Sequence, residues 1–144
     1  MKSMPLSTAS RVFIDSSGFF ALLVRDDDRH AEADRTLQEA ARRGRLFVTS
    51  DYVLDETATL LKARGRGHLV KPLLDRVFQG EACQVEWMDP ARFAGTQSFF
   101  LKHSDHAWSF TDCFSFVLMR ELRLREALTK DAHFREAGFR PLLV

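Results

Sequence analysis

The chain has 144 residues, 45% of them hydrophobic and 28% charged, the size at which one domain buries roughly 70% of its unfolded surface. Seven Gly and four Pro exclude a collagen-like or low-complexity chain, and the hydrophobic content excludes intrinsic disorder. Twenty-one Lys and Arg against 20 Asp and Glu leave a formal charge of +1, so no global field draws the chain onto a polyanion and any such site has to be local.

Met1 to Ser10 lacks the apolar stretch of about 7 to 15 residues that a secretory signal needs, and is read as a flexible leader before a single domain over 11–144. Arg11 to Ile14 (RVFI) is a short β-prone run that stops at Asp15, and Ser16 to Val24 (SSGFFALLV) reads as a buried helix. Phe19 to Val24, the longest apolar run near the N-terminus, is far short of the roughly 18 residues of a membrane span, so a cytoplasmic protein is expected. Asp28 to Arg43 carries Ala31, Ala33, Leu37, Ala40 and Ala41 at helical spacing, and Gly44 stops it. Leu46 to Thr49 (LFVT) is a second strand, and Ser50 or Asp51 caps a helix with Val53, Leu54, Thr57, Leu60 and Leu61 on one face, ended by Gly65 and Gly67.

A helix over His68 to Phe78 precedes a third strand, Ala82 to Trp87, and Pro90 suits the first turn of a helix reaching about His103. From Trp108 or Ser109 to Leu122 the chain is helical and apolar on most sides, which makes this helix central. Ala127 to Thr129 is a fourth strand, Ala132 to Ala137 a short helix stopped by Gly138, and Leu142 to Val144 a last strand. Strands separated by helices predict an α/β domain with a mostly parallel sheet. Cys83 and Cys113, without a CxxC, indicate neither a disulfide framework nor a cysteine metal site and read as small core residues.

Ligands of open α/β sheets bind beyond the carboxyl ends of the strands, and four acids fall there. Asp15 follows the first strand, Asp131 follows the fourth with one Lys between, Glu56 lies early in the helix after LFVT, and Asp112 lies in the first turns of the apolar helix. Hard divalent cations take a few such carboxylates plus waters and substrate phosphates. Each acid alone also suits a cap or a helix dipole, which leaves the bland role open for Asp15 and Asp131. Glu56 shares its helical row with Tyr52 and Leu60, whereas Asp55 shares one with Asp51 and Thr59, so Glu56 is expected to face protein. Asp112 has Trp108 and Phe116 as its i±4 neighbours, company in which a carboxylate costs free energy unless it has a partner.

VFIDSSGFFALL, DYVLDETATLL, SFTDCFSFVLM and LTKDAHFREAGF together resemble the four acidic motifs of PIN-domain ribonucleases, especially VapC-type toxins, over nearly the whole chain. The resemblance implies a parallel sheet of four or five strands with helices on both faces. It implies catalytic and metal-binding acids at Asp15, Glu56, Asp112 and Asp131, with Ser16 and Thr111 as polar supports beside the first and third. It further implies Mg²⁺ or Mn²⁺ as cofactor and hydrolysis of RNA to 5′-phosphate and 3′-hydroxyl ends. A cognate antitoxin seated in a groove between helices, and a homodimer, are the partners it suggests. The Phe content points the same way: 13 Phe against one Tyr, with Phe19, Phe20, Phe99 and Phe100 in helices that cannot all face one small core.

Two basic clusters, Lys62, Arg64, Arg66, His68 and Lys71, and Arg120, Arg123 and Arg125, suit either RNA phosphates or helix dipoles. His103 and His106 with Asp105 lack a third zinc ligand and read as surface polar structure, and Asp26 to Asp28 as a solvated helix start. A phosphotransfer domain with Asp15 as nucleophile wants a second Asp two residues on, where this chain has Ser17. A PIN-like module that binds without cutting is expected to lack an acid, and all four are present. A stand-alone RNA-processing nuclease stays open beside the toxin.

Overall fold

The computed structural model describes residues 11–144, so the predicted leader over 1–10 lies outside the described residues. Five strands, β1 (Arg11–Ile14), β2 (Leu46–Ser50), β3 (Cys83–Glu86), β4 (Glu126–Leu128) and β5 (Arg140–Pro141), form one sheet in the order β3-β2-β1-β4-β5. Every pairing is parallel. The helices are α1 (Ser16–Leu23), α2 (His30–Arg43), α3 (Asp51–Ala63), α4 (Val70–Gln79), α5 (Pro90–Lys102), α6 (Phe110–Glu121) and α7 (His133–Glu136), with a 3-10 turn at Gly67–Leu69. The α/β fold with a mostly parallel sheet anticipated from the alternation of strands and helices is the observed one, the sheet being parallel throughout, and the last strand is Arg140–Pro141 rather than Leu142 to Val144. That stretch alternates too weakly to mark where the strand begins: the backbone bonds start earlier, with the Arg140 amide on the Arg125 carbonyl, and continue through the predicted stretch, with the Leu142 and Leu143 amides on the Ala127 and Thr129 carbonyls.

Local chemistry explains the boundaries. Ser50 and Asp89 cap α3 and α5 by accepting the Val53 and Arg92 amides, and Pro90 occupies the first turn of α5, where a missing N–H costs nothing. Gly44 ends α2 at φ +66°, a left-handed conformation that a side chain would strain. Both faces of the sheet are covered. Ile14, Phe47 and Cys83 meet Phe19, Leu22 and Leu23 of α1, Leu37 of α2 and Leu73 and Val77 of α4. On the other face Phe13 meets Phe134 of α7, whose ring packs edge-on against Phe116 of α6 at 5.0 Å. Cys113, Phe114, Phe116, Leu118 and Met119 bury nearly every side of α6, as its apolar composition predicts.

Of the four Phe residues expected to exceed the core, Phe19 is inside it and Phe20 and Phe99 pack against it. Arg64 lies over the Phe20 ring and Arg120 over the Phe99 ring, so cationic stems do the covering. Phe100 stays exposed, and the larger apolar surface is contributed by Phe78, Trp87, Phe93 and Leu101. Cys113 is buried, while Cys83 is only half-buried and lines a cleft between α1, α2 and α4. No helix among the described residues is long and apolar enough to cross a membrane.

The first turn of α1 lies hard against the end of β4: a Cβ on Gly18 would stand 2.0 Å from the Leu128 carbonyl oxygen. No larger residue fits without displacing the helix that Asp15 caps. Gly18→Ala is expected to cost about 1–3 kcal/mol in urea unfolding, the usual penalty of overpacking, and to lower divalent-cation binding by moving Asp15. A variant as stable as the parent would show that this contact is loose.

Candidate active site

The chain leaves β1 to one side for β2 and β3 and to the other for β4 and β5, so the topological switch lies between β1 and β4. A crevice opens beyond the carboxyl ends of the strands at such a point. Asp15 follows β1 and Asp131 follows β4, which puts both acids at that crevice.

Asp15 is buried, at 7% exposure, and fully engaged. Its Oδ1 accepts from the Gly18 amide at 2.9 Å and the Ser17 hydroxyl at 2.8 Å, and its Oδ2 accepts from the Thr129 hydroxyl at 2.7 Å. Thr129 Oγ1 also accepts from the Asp131 amide at 3.0 Å, and Ser17 Oγ accepts from the Lys130 amide at 2.8 Å. These bonds lace β1 to β4 through side chains just past the last strand pairing. Loss of hydration pushes the Asp15 carboxyl up to about 7, against the pull of its Thr129, Gly18 and Ser17 donors, and the Asp131 charge adds to the rise.

Asp112 holds the N3 position of α6 in a capping box: its amide donates to Ser109 Oγ at 3.0 Å and its Oδ2 accepts from the Ser109 amide at 3.1 Å. The capping role open to any early acid is thus filled here by the residue for which a ligand looked most necessary. The carboxyl is nevertheless raised, first by burial and then by the charges of Asp131 and Glu56. Glu56 is exposed rather than packed on protein, but it turns toward this group, with Oε1 accepting from Ser16 Oγ at 2.5 Å. Ser16 therefore orients Glu56, and Thr111 is half-buried in the first turn of α6.

All four acids named from the sequence come to one edge, linked in the chain Asp15, Asp131, Asp112, Glu56 by mutual charge. Their ion pairs include no Lys or Arg among the described residues; Lys130, next to Asp131, points its ammonium to Asp27 and Asp28 at 3.1 and 2.7 Å. That pairing corrects the solvated reading for Asp27, which is nearly buried, while Asp26 and Asp28 stay exposed as expected. Asp27 and Asp28 clamp the loop after α1 to the end of β4, and Asp26 pairs with Arg66. The His103 and His106 rings join an aromatic group around Trp108 and Phe99, in keeping with a structural role.

Three polar residues at this edge escaped the sequence reading. Ser17 and Thr129 position Asp15; the only signal was a hydroxyl two residues from each of Asp15 and Asp131, and Ser and Thr at strand ends are too common to be diagnostic. His133 lies with Nδ1 3.3 Å from Asp131 Oδ1 and 3.7 Å from Asp112 Oδ2, buried and without a hydrogen bond. Ligand atoms of Asp112, Asp131 and His133 lie within 4.8 Å of one another. Hard carboxylate oxygens that repel one another, lacking a Lys or Arg partner among the described residues and flanked by an orphaned imidazole nitrogen, fit a divalent cation.

The PIN domain model matches residues 12–140. The chain belongs to the PIN-domain family. It is 30% identical over 128 residues to the 23S rRNA-specific endonuclease VapC20 of Mycobacterium tuberculosis, in strains CDC 1551 and H37Rv alike, across 89% of this chain and 95% of the relative. The crystal structure of VapC20, described as a Sarcin-Ricin loop cleaving toxin, superposes with a TM-score of 0.78 at 30% identity over the same shares. Within the family the chain is thus of the VapC type, as its four motifs suggested.

Because Asp15 holds its proton more tightly folded than unfolded, the folded state binds more protons between about pH 4 and 7 and stability falls across that window as pH rises. In EDTA the parent is expected to lose melting temperature over this range relative to Asp15→Asn, and added Mg²⁺ to recover it only in the parent. Parallel pH profiles for the two proteins would remove the buried charge as the cause.

Proposed function

We propose that this chain is a metal-dependent endoribonuclease and the toxin of a type II toxin-antitoxin pair, with Asp15, Glu56, Asp112 and Asp131 as its metal and catalytic acids. The observation that carries this reading is the convergence of four carboxylates without Lys or Arg partners on the switch point of a PIN domain. The similarity to a relative named as an rRNA endonuclease supports RNA as the substrate. A Mg²⁺ or Mn²⁺ ion, when bound, neutralises phosphate charge and makes water more acidic.

The residues divide the work by exposure. Asp112 and Asp131 offer oxygens at the mouth of the crevice, and Asp15, held by three donors, fixes one ligand position from beneath. Glu56 spends Oε1 on Ser16, leaving Oε2 to take a proton from the attacking water in line with the phosphate. Asp131 also suits a second, weaker ion.

Two faces suit the protein partners. The apolar cleft between α1, α2 and α4, about 190 Å³ and lined by Phe19, Leu22, Leu37, Leu73 and Val77, fits the apolar face of a short antitoxin helix. On α5, Phe93, Phe100 and Leu101 are 45%, 37% and 62% exposed, which favours a homodimer through that face. A dimeric mass in light scattering that Phe93→Ser/Leu101→Ser reduces to a monomer is expected; a strictly monomeric parent would remove the dimer.

Cleavage of a 23S rRNA sarcin-ricin hairpin is expected with Mg²⁺ or Mn²⁺ and to stop in EDTA, leaving 5′-phosphate ends. A surviving activity in EDTA, or a 2′,3′-cyclic phosphate product, would sink the mechanism. Removing groups outside a metal's own ligands typically costs 10–100-fold, so Asp112→Asn and Asp131→Asn are expected to cost more than about 100-fold, while Asp55→Asn is neutral. Parental activity in Asp112→Asn would overturn the assignment.

A further inference from the structure

Opposite the acids, the strands begin with arginines. Arg11 opens β1, Arg45 precedes β2, Arg125 precedes β4 and Arg140 opens β5. Because the sheet is wholly parallel, these four start points share its amino edge as surely as the acids share the carboxyl edge. Two adjoining concavities lie there, one of about 590 Å³ and one of about 260 Å³, and both are lined by Glu126 and Arg140. Arg11 and Arg125 line the first, and Arg43 and Arg45 the second. Five arginines therefore line these concavities with two glutamates, Glu126 and Glu39, the Arg11 guanidinium also donating to the Leu122 carbonyl at 3.4 Å.

The glutamates organise the arginines without neutralising them. Glu126 holds Arg45 at 2.7 Å through Oε1 and Arg140 at 3.3 Å through Oε2, so one carboxylate spreads two guanidinium forks across the basin. Arg43 reaches Glu39 at 3.5 Å and remains 66% exposed, Arg140 remains 76% exposed, and Arg125 has no ion pair among the described residues. Guanidiniums in this arrangement match phosphate oxygens in charge and geometry. A chain whose net charge is only +1 thus concentrates positive charge at one edge and negative charge at the other.

We infer that this arginine basin is a second RNA-contacting surface, which holds the phosphate backbone of a structured substrate while a neighbouring segment reaches the acids. The inference rests on the ribonuclease reading. Four residues of β1 separate Arg11 from Asp15, about 13 Å at the usual strand rise, a span that a few nucleotides cover. α7 connects the two edges, with His133 beside the acids, Arg135 exposed on its surface, and Gly138 and Phe139 following it in the wall of the basin. Contacts of this kind give affinity and register without reading bases.

The test is anisotropy of a labelled sarcin-ricin hairpin on the full chain carrying Asp112→Asn, at 50 to 200 mM salt. Adding Arg125→Glu and Arg140→Glu is expected to weaken binding at least tenfold and to reduce the slope of log affinity against log salt by about 2. Arg35→Glu with Arg76→Glu, an equal change of charge elsewhere, is expected to do neither; Arg125→Gln with Arg140→Gln replaces the first pair if that pair fails to fold. Unchanged affinity and slope would overturn the inference. So would an ATP affinity that the pair abolishes while RNA binding is unaffected, since the basin would then hold a free nucleotide. If the chain with Asp112 intact cleaves the hairpin, and the basin substitutions leave both binding in the Asp112→Asn background and cleavage in the Asp112 background unchanged, the basin alone falls; an Asp112 chain that neither binds nor cleaves it removes the ribonuclease reading as well.

Discussion

The Thr129 hydroxyl bridges the two strands at the switch point by donating to Asp15 and accepting from the Asp131 amide, and the site depends on that bridge. A carboxylate withdrawn from water is costly unless hydrogen bonds replace its hydration, and Asp15 recovers three donors from Thr129, Gly18 and Ser17. Two of those donors belong to the first turn of α1 itself, whereas the third, Thr129, comes within reach only when α1 lies against the end of β4, which Gly18 alone permits. Packing and electrostatics therefore constrain each other: the helix approaches closely because the glycine has no side chain, and the close approach makes the buried charge tolerable.

The parallel sheet extends this local arrangement to the whole molecule. Each strand runs from an amino edge carrying Arg11, Arg45, Arg125 and Arg140 to a carboxyl edge carrying Asp15 and Asp131, so charges dispersed along the sequence are sorted in space by chain direction. Lys130 would disturb the sorting, since it lies between Thr129 and Asp131, but Asp27 and Asp28 draw its ammonium away. The same pairing holds the loop between α1 and α2 to the sheet.

Most of the fold was legible because its signals are local: RVFI and LFVT are short β-prone runs, Gly44 and Pro90 mark helix ends, and the apolar α6 had to be central. The shifted β5 shows the limit, since a two-residue strand carries no periodicity and its position is settled by the Arg140 bond to Arg125. The four acids were legible from their place after strands, and their convergence follows from topology. Their environments were not legible. Nothing local distinguishes Thr129 as a donor to Asp15 across 114 positions, or shows that Glu56 is exposed while bonded to Ser16. Tertiary contacts decide such matters, and they decided against the solvated reading of Asp27 as well.

Clustered carboxylates without a Lys or Arg partner among the described residues raise the question of what holds the edge together before a cation arrives. Part of the answer is the backbone. Asp15 is the N-cap of α1 and Asp112 occupies the first turn of α6, so two helix N-termini, each equivalent to about half a positive charge, point into the cluster. Amides of Gly18 and Ser109 deliver that charge directly to carboxylate oxygens. The compensation is incomplete, since both carboxyls remain raised above their ordinary range. A fully neutralised edge would have no remaining attraction for a divalent ion, whereas an uncompensated one would repel its own strands apart. Caps and dipoles place this edge between those extremes, stable enough to fold and still short of positive charge.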